Sequence, residues 1–212
     1  MADIVNLDTT QLFALAAAMG WASGLRLYAV VFLTGLAGSL GWVTLPSGLQ
    51  VLQNPLVLGA SGIMLAVEFF ADKIPGLDSI WDAVHTFIRV PAGMALAAGV
   101  FGGDSATWAV IAALMGGALA ATSHTAKATT RAAANTSPEP FSNIALSLAG
   151  DAAVPGMLWL SWTHPLVFFG ALAIALVAMA VTIVVLFRFL CGLVRRFGGG
   201  PSAAGDVAQI TH

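Results

Sequence analysis

Eleven charged residues lie in or against apolar stretches of this 212-residue chain. Six are the acids Glu68, Asp72, Asp78, Asp82, Glu139 and Asp151; five are the bases Arg26, Lys73, Arg89, Lys127 and Arg131. Left unpaired at the centre of a bilayer, each would cost roughly 2.5–3.5 kcal/mol, so they must face one another, a water-filled cavity or the headgroups. The near balance of signs favours mutual pairing. Carboxylates so placed can handle protons or cations, and guanidinium and ammonium groups can hold an anion.

Their spacing is helical. Glu68 and Asp72 stand four apart on one face. Asp78, Asp82, His85 and Arg89 step by four, three and four, a polar stripe opposite Leu77, Ile80, Trp81, Val84 and Ile88. His124, Lys127, Arg131 and Asn135 step by three, four and four and form a second, basic stripe. The two faces could close a buried polar network around a hydrophilic cavity. Alternatively, each could be the wetted side of an interfacial helix. Arg26, embedded in a small and apolar run, reads as an internal partner for Glu68 or Asp72, or as the ligand of an anionic group. No paired-His, CxxC or HExxH spacing surrounds His85 or His124, so neither a metal nor a cofactor is expected. No GxSxG or Walker sequence occurs, and no nucleophile–base pattern suggests an enzyme.

The elements that must carry these groups are membrane helices. The chain is 58% hydrophobic and only 8% charged, with a net charge of −2 and a mean hydropathy of +0.91. A soluble domain carries about 25% charged residues, and nothing here offers a basic surface to nucleic acid. The single Cys191 can form no internal disulfide. Residues 1–10 hold Asp3 and Asp8 but no basic residue, so we expect no signal peptide and read the first apolar segment as a retained helix. Residues 11–40 are interrupted at Gly24 and Arg26. Residues 55–71 are short and end at Asp72-Lys73-Ile74-Pro75-Gly76. Residues 77–101 contain Pro91, expected to kink them, and Ser79 to Asp82 could form a capping box. Residues 107–131 begin apolar and end polar. Residues 141–153 look too short to cross and lie between Pro140 and Pro155; residues 165–187 are an uncharged span. Short segments broken by Pro and Gly read as broken or re-entrant helices, with Pro75, Gly76, Pro155 and Gly156 as the hinge residues.

Two stretches recur in order: residues 16–22 (AAAMGWA) with 112–118 (AALMGGA), and 74–77 (IPGL) with 154–157 (VPGM). The matches suggest two pseudo-symmetric halves, residues 11–104 and 105–190, between a flank at 1–10 and a disordered tail at 191–212. With three membrane-entering segments in each half, the second copy would be inverted. The expected architecture is therefore an all-α integral membrane protein of about five to seven membrane-entering helices.

The segment Glu68-Phe69-Phe70-Ala71-Asp72-Lys73-Ile74-Pro75-Gly76-Leu77-Asp78-Ser79-Ile80-Trp81-Asp82, continuing to His85 and Arg89, resembles the signature of a bacterial membrane family catalogued as domain of unknown function 4126. Gly24-Leu25-Arg26-Leu27-Tyr28 is similar to that family's first helix. His124 to Lys127, Arg131, Asn135 and Ser137 to Asn143 are similar to its polar central segment. The likeness runs from about Gln11 to Leu190. The family pattern implies an acidic pair where this chain has Gly150-Asp151, which weakens any role resting on two carboxylates there. The resemblance implies no activity. A looser likeness to DedA-type lipid transporters is an analogy of motif only.

The expected function is that of a small inner-membrane transporter or channel-like protein with a charged, proton-coupled site between its halves. Two alternatives stand: a flippase or scramblase for a lipid or polyprenyl phosphate, with His124, Lys127 and Arg131 at the headgroup, and a non-transporting scaffold. Expected partners are membrane lipids, a small solute or ion, and further copies of the chain. Arg188, Arg195 and Arg196 after the last span place the C-terminus in the cytoplasm.

Overall fold

The computed structural model describes residues 7–74, 76–102, 105–136 and 141–198, with side chains as far as Arg195. The chain forms α1 (Thr9–Ser39), a 3-10 helix (Ser47–Gln53), α2 (Pro55–Ala71), α3 (Leu77–Val100), α4 (Ala106–Ala134), α5 (Phe141–Thr163) and α6 (Pro165–Gly198). Five of these helices are long and apolar enough to cross a membrane, and the 3-10 helix with α2 forms a further apolar pair bent by 70°. Leu56, Phe87, Leu166 and Ile174 are among the large apolar side chains on the outside. A surface of that kind is solvated by lipid rather than by water. The molecule is an all-α, multi-pass membrane protein.

The first helix is not a simple span. It starts with a reciprocal cap, in which Asp8 accepts from the Gln11 amide at 2.7 Å and Gln11 accepts from the Asp8 amide at 2.9 Å. At Arg26 the backbone leaves the helical region (φ −144°, ψ 75°). The Thr34 hydroxyl then lies 3.9 Å from the Met19 sulfur. Fifteen residues of unbroken helix would separate them by about 22 Å. The second arm, residues 27–39, therefore folds back along the first, residues 9–25, and Arg26 sits at the apex of a re-entrant hairpin. The expected interruption is real. Its cause is tertiary, because the Arg26 side chain is held by groups on α2 and α5.

The other helices assemble around the first arm, which is buried without a gap from Ala14 to Gly24. Gly62 of α2 lies against Phe32, and Gly35 lies against Leu52 and Leu58, so α2 climbs back beside the second arm. Descending α3 sets Gly93 against Ser23 and ends with Phe101 and Phe13 ring centroids 5.1 Å apart. In α4, Gly116 meets Gly20, Ala120 meets Gly24, and Ser123 donates to the Trp21 carbonyl at 2.7 Å. These small residues let two backbones touch. α5 descends from Asn143, bonded to Asn135 at the top of α4, and α6 rises beside it.

Several sequence expectations change. The matched segments 16–22 and 112–118 lie side by side and run in the same direction, whereas inverted copies would run oppositely. Their likeness records a shared small-residue packing face. The second match joins unlike settings: Gly76 stands in the α2–α3 turn at φ +86°, and Pro155 and Gly156 lie inside α5. α5 is 23 residues long and uninterrupted, so Pro155 and Gly156 form no re-entrant loop. A proline in a membrane helix is tolerated where neighbouring groups serve the freed carbonyl. Likewise α3 continues through Pro91. Its N-cap is Gly76, with no side-chain cap bond, and Asp78 in the first turn accepts from the amides of Gly76 at 2.9 Å and Ser79 at 2.6 Å, so the Ser79 capping box does not form. α6 extends to Gly198, past the boundary expected at 190. Pro75 and Glu139 lie outside the described residues.

The glycine contacts set a stability test. A Cβ on Gly20 would strike the backbone of Gly116, which cannot yield as a side chain could, whereas a Cβ on Gly59 meets nothing within 4 Å. Gly20→Val should cost about 1–3 kcal/mol through overpacking. It should lower the midpoint of thermal denaturation in detergent, while Gly59→Ala leaves it unchanged or raised.

Candidate functional site

The break at Arg26 exposes the last carbonyls of the first arm, which have no amide of their own helix to accept from. Lys127 of α4 donates to one of them, the Leu25 carbonyl, at 3.2 Å. Arg26 itself spreads across two helices. One nitrogen pairs with Asp72 Oδ2; the other meets Asp151 Oδ1 at 2.9 Å and donates to Ser147 Oγ at 2.8 Å. Asp72, just past α2, is fully buried and gathers three cations on one oxygen. Besides Arg26, Lys127 Nζ lies 2.9 Å and Arg131 Nη2 3.3 Å from Oδ2.

The pairing continues in both directions with alternating sign. Lys127 also reaches Asp82 at 3.0 Å, Asp82 reaches Arg89 at 2.8 Å, and Arg89 reaches Glu68 at 2.7 Å. Arg131 holds Asp78 at 3.1 Å and stands 3.9 Å from Asp82 Oδ2. At the other end Asp151 pairs with Lys73 at 3.3 Å, whose Nζ sits 3.0 Å from the centre of the Phe69 ring. Five acids and five bases thus form one neutral chain. Lys73 and Asp151 retain 19% and 23% side-chain exposure, against 9% or less for the other members. The network meets the surface there.

The acidic and basic stripes expected on α3 and α4 do face each other. Two histidine branches extend them. His85 lies flat on Trp81, donates from Nδ1 to the Trp81 carbonyl at 2.8 Å and has its Nε2 3.1 Å from the Tyr28 hydroxyl. Thr86 spends its one hydroxyl proton on the Asp82 carbonyl at 2.9 Å. His124 Nε2, 2.7 Å from that hydroxyl, must therefore donate, leaving Nδ1 to accept from Arg89 at 3.1 Å. This fixes a neutral His124. Asn135 donates to Asp78 at 3.2 Å and to Ser79 at 3.0 Å. Among the described residues no three His, Cys, Asp or Glu side chains converge as a metal-donor set.

Sequence reasoning missed Ser147, although Asn143, Ser147 and Asp151 step by four along α5 and mark a third polar stripe. Tyr28, the single tyrosine, carried no such signal. Of the two partners expected for Arg26, Asp72 is the one paired with it; Glu68 offers only its backbone carbonyl at 3.5 Å, and Asp151 is a second carboxylate that was not expected there.

A cavity of about 340 Å³ opens beside the network between α1, α4, α5 and α6. Its walls include Leu25, Leu146, Ala153 and Met179, and its polar end is formed by Arg26, Lys127 and Arg131. These are the three cations that converge on Asp72.

Removing one member of a buried pair strands the other charge, at about 3–5 kcal/mol. Arg89→Met should therefore strongly lower the denaturation midpoint in detergent, because Glu68 loses its partner. Glu68→Gln combined with Arg89→Met should recover most of that loss. A double variant as unstable as the single one would show that the pair is not the source of the effect.

Residues 13–185 match the family described as Domain of unknown function (DUF4126). No curated protein and no solved structure matches the chain. The match spans most of the re-entrant hairpin, all ten members of the ion-pair network and most of α6, and the chain belongs to this DUF4126 family.

Proposed function

We propose that this protein is a small transporter of the bacterial inner membrane, that it moves an anionic solute, and that protons are exchanged at the carboxylates of its network. The observation that carries this reading is the convergence of Arg26, Lys127 and Arg131 on Asp72 Oδ2 beside a cavity lined by the same three cations. Asp72 then acts as the resident counter-anion. A solute anion can take its place only if one negative charge leaves the neutral network, and proton uptake by Asp72 achieves that. Lys73 and Asp151, the most exposed members, are the route by which the proton arrives. The network lies toward the end of the bundle where α6 carries Arg188 and Arg195, since Ala175 to Thr182 stand level with Lys127 and Arg131. By the positive-inside rule that end, with the C-terminus, faces the cytoplasm.

The scaffold reading draws support from the complete pairing of opposite charges. Against it stands the cavity that Arg26, Lys127 and Arg131 line, a feature that locking helices together does not require.

Asp72→Asn keeps the shape of the side chain and removes its titratable charge. In proteoliposomes loaded with a pH-sensitive dye, wild-type protein should acidify or alkalinise the lumen when an inward gradient of phosphate or organic anions is imposed. The variant should extract as a monodisperse protein and lose that coupled proton movement by at least tenfold. Unchanged proton movement in Asp72→Asn would remove the residue from the mechanism.

A further inference from the structure

The cavity specifies more than a charge. Ala149 and Ala178, both exposed on the outer surface, form its rim, so it opens sideways between α5 and α6 where lipid chains lie. Its volume exists because Ala149, Gly150 and Ala153 on α5 face Ala175 and Ala178 on α6, small residues that cannot fill the gap. At about 340 Å³ it falls in the range of small-molecule sites, roughly 300–1,000 Å³. One end is apolar and reaches lipid; the other is cationic and buried.

We infer that this cavity binds a single-chain amphiphilic phosphate, its head between Arg26, Lys127 and Arg131 and its hydrocarbon chain leaving between α5 and α6. The inference rests on the reading of Asp72 as a resident counter-anion and names the class of anion that replaces it. A carboxylate matches the three cations poorly. Asp72 crowds all of them on Oδ2, and its Oδ1 has no hydrogen-bond partner among the described residues. A tetrahedral phosphate presents a separate oxygen to each of three converging donors. Gly150 and Arg26 both line the cavity, and a Cβ at Gly150 would stand 3.8 Å from Arg26 Nε.

The test uses the full chain in nanodiscs and dodecyl phosphate carrying a photoactivatable group near the chain end. Crosslinks should fall on the α5 and α6 wall and decrease at least tenfold with excess unlabelled dodecyl phosphate. Inorganic phosphate and dodecyl maltoside, which each offer half of the chemistry, should compete at least tenfold less well. Lysophosphatidate and farnesyl phosphate as competitors distinguish a glycerolipid source from an isoprenoid one. Gly150→Glu supplies an internal carboxylate beside Arg26 and should reduce wall labelling tenfold. Ala178→Phe should do the same by filling the apolar end without touching a charge. The competition series on the unaltered protein decides the matter if either variant fails to fold. Labelling elsewhere on the helices, or displacement by dodecyl maltoside as readily as by dodecyl phosphate, overturns the inference. Inorganic-phosphate-driven proton movement without wall labelling overturns it and leaves the transport reading standing. Wall labelling without proton movement under any anion gradient keeps the site and overturns transport.

Discussion

A charge removed from water must be neutralised by the protein itself, and in this molecule the requirement converges on one carboxylate. Asp72 joins three elements through Arg26, Lys127 and Arg131, and it is the point where the two sides of the network meet. The re-entrant turn of α1 follows from it, because the guanidinium at the apex is pulled toward α2 and α5. So does the placement of α4, whose lysine and arginine must reach the same oxygen from the other side. The glycine contacts between α1, α3 and α4 bring the backbones close enough for these side chains to span the gap.

The membrane class, the helices and both polar stripes on α3 and α4 were legible in the sequence, because composition and helical period depend on local order alone. The interruption near Arg26 was legible too, as a charge in an apolar run. Its geometry was not, since a helix bent back on itself through one residue is decided by partners far along the chain. Ser147, which bonds Arg26, lies 121 residues away. Pro155 misled for the opposite reason: a proline breaks an isolated helix, whereas α5 is held in place by its neighbours on both sides of it. The repeat at residues 16 and 112 was a true likeness with the wrong meaning, because two helices that pack closely against each other need the same small residues.

The network joins rigidity to an unfinished account of hydrogen bonds. Ten charges of alternating sign fix five elements in register, yet carboxylate oxygens on Glu68 and Asp72 have no donor among the described residues. Most of the pairs join different helices; Asp82 and Arg89, both on α3, are an exception.

The hairpin also bears on how the protein is made. The arm from Thr9 to Leu25 is enclosed by α3 to α6, every one of which leaves the ribosome after it. Arg26 is synthesised 46 residues before Asp72. Until then, neither the apex charge nor the polar carbonyls beside it have their final partners. The nascent hairpin must therefore wait at the membrane surface or within the insertase, shielded from acyl chains. Assembly of this fold is completed from its C-terminal half, and a chain arrested before Asp151 would have α3 and α4 against the first arm but would lack the α5 carboxylate of Arg26 and all of α6.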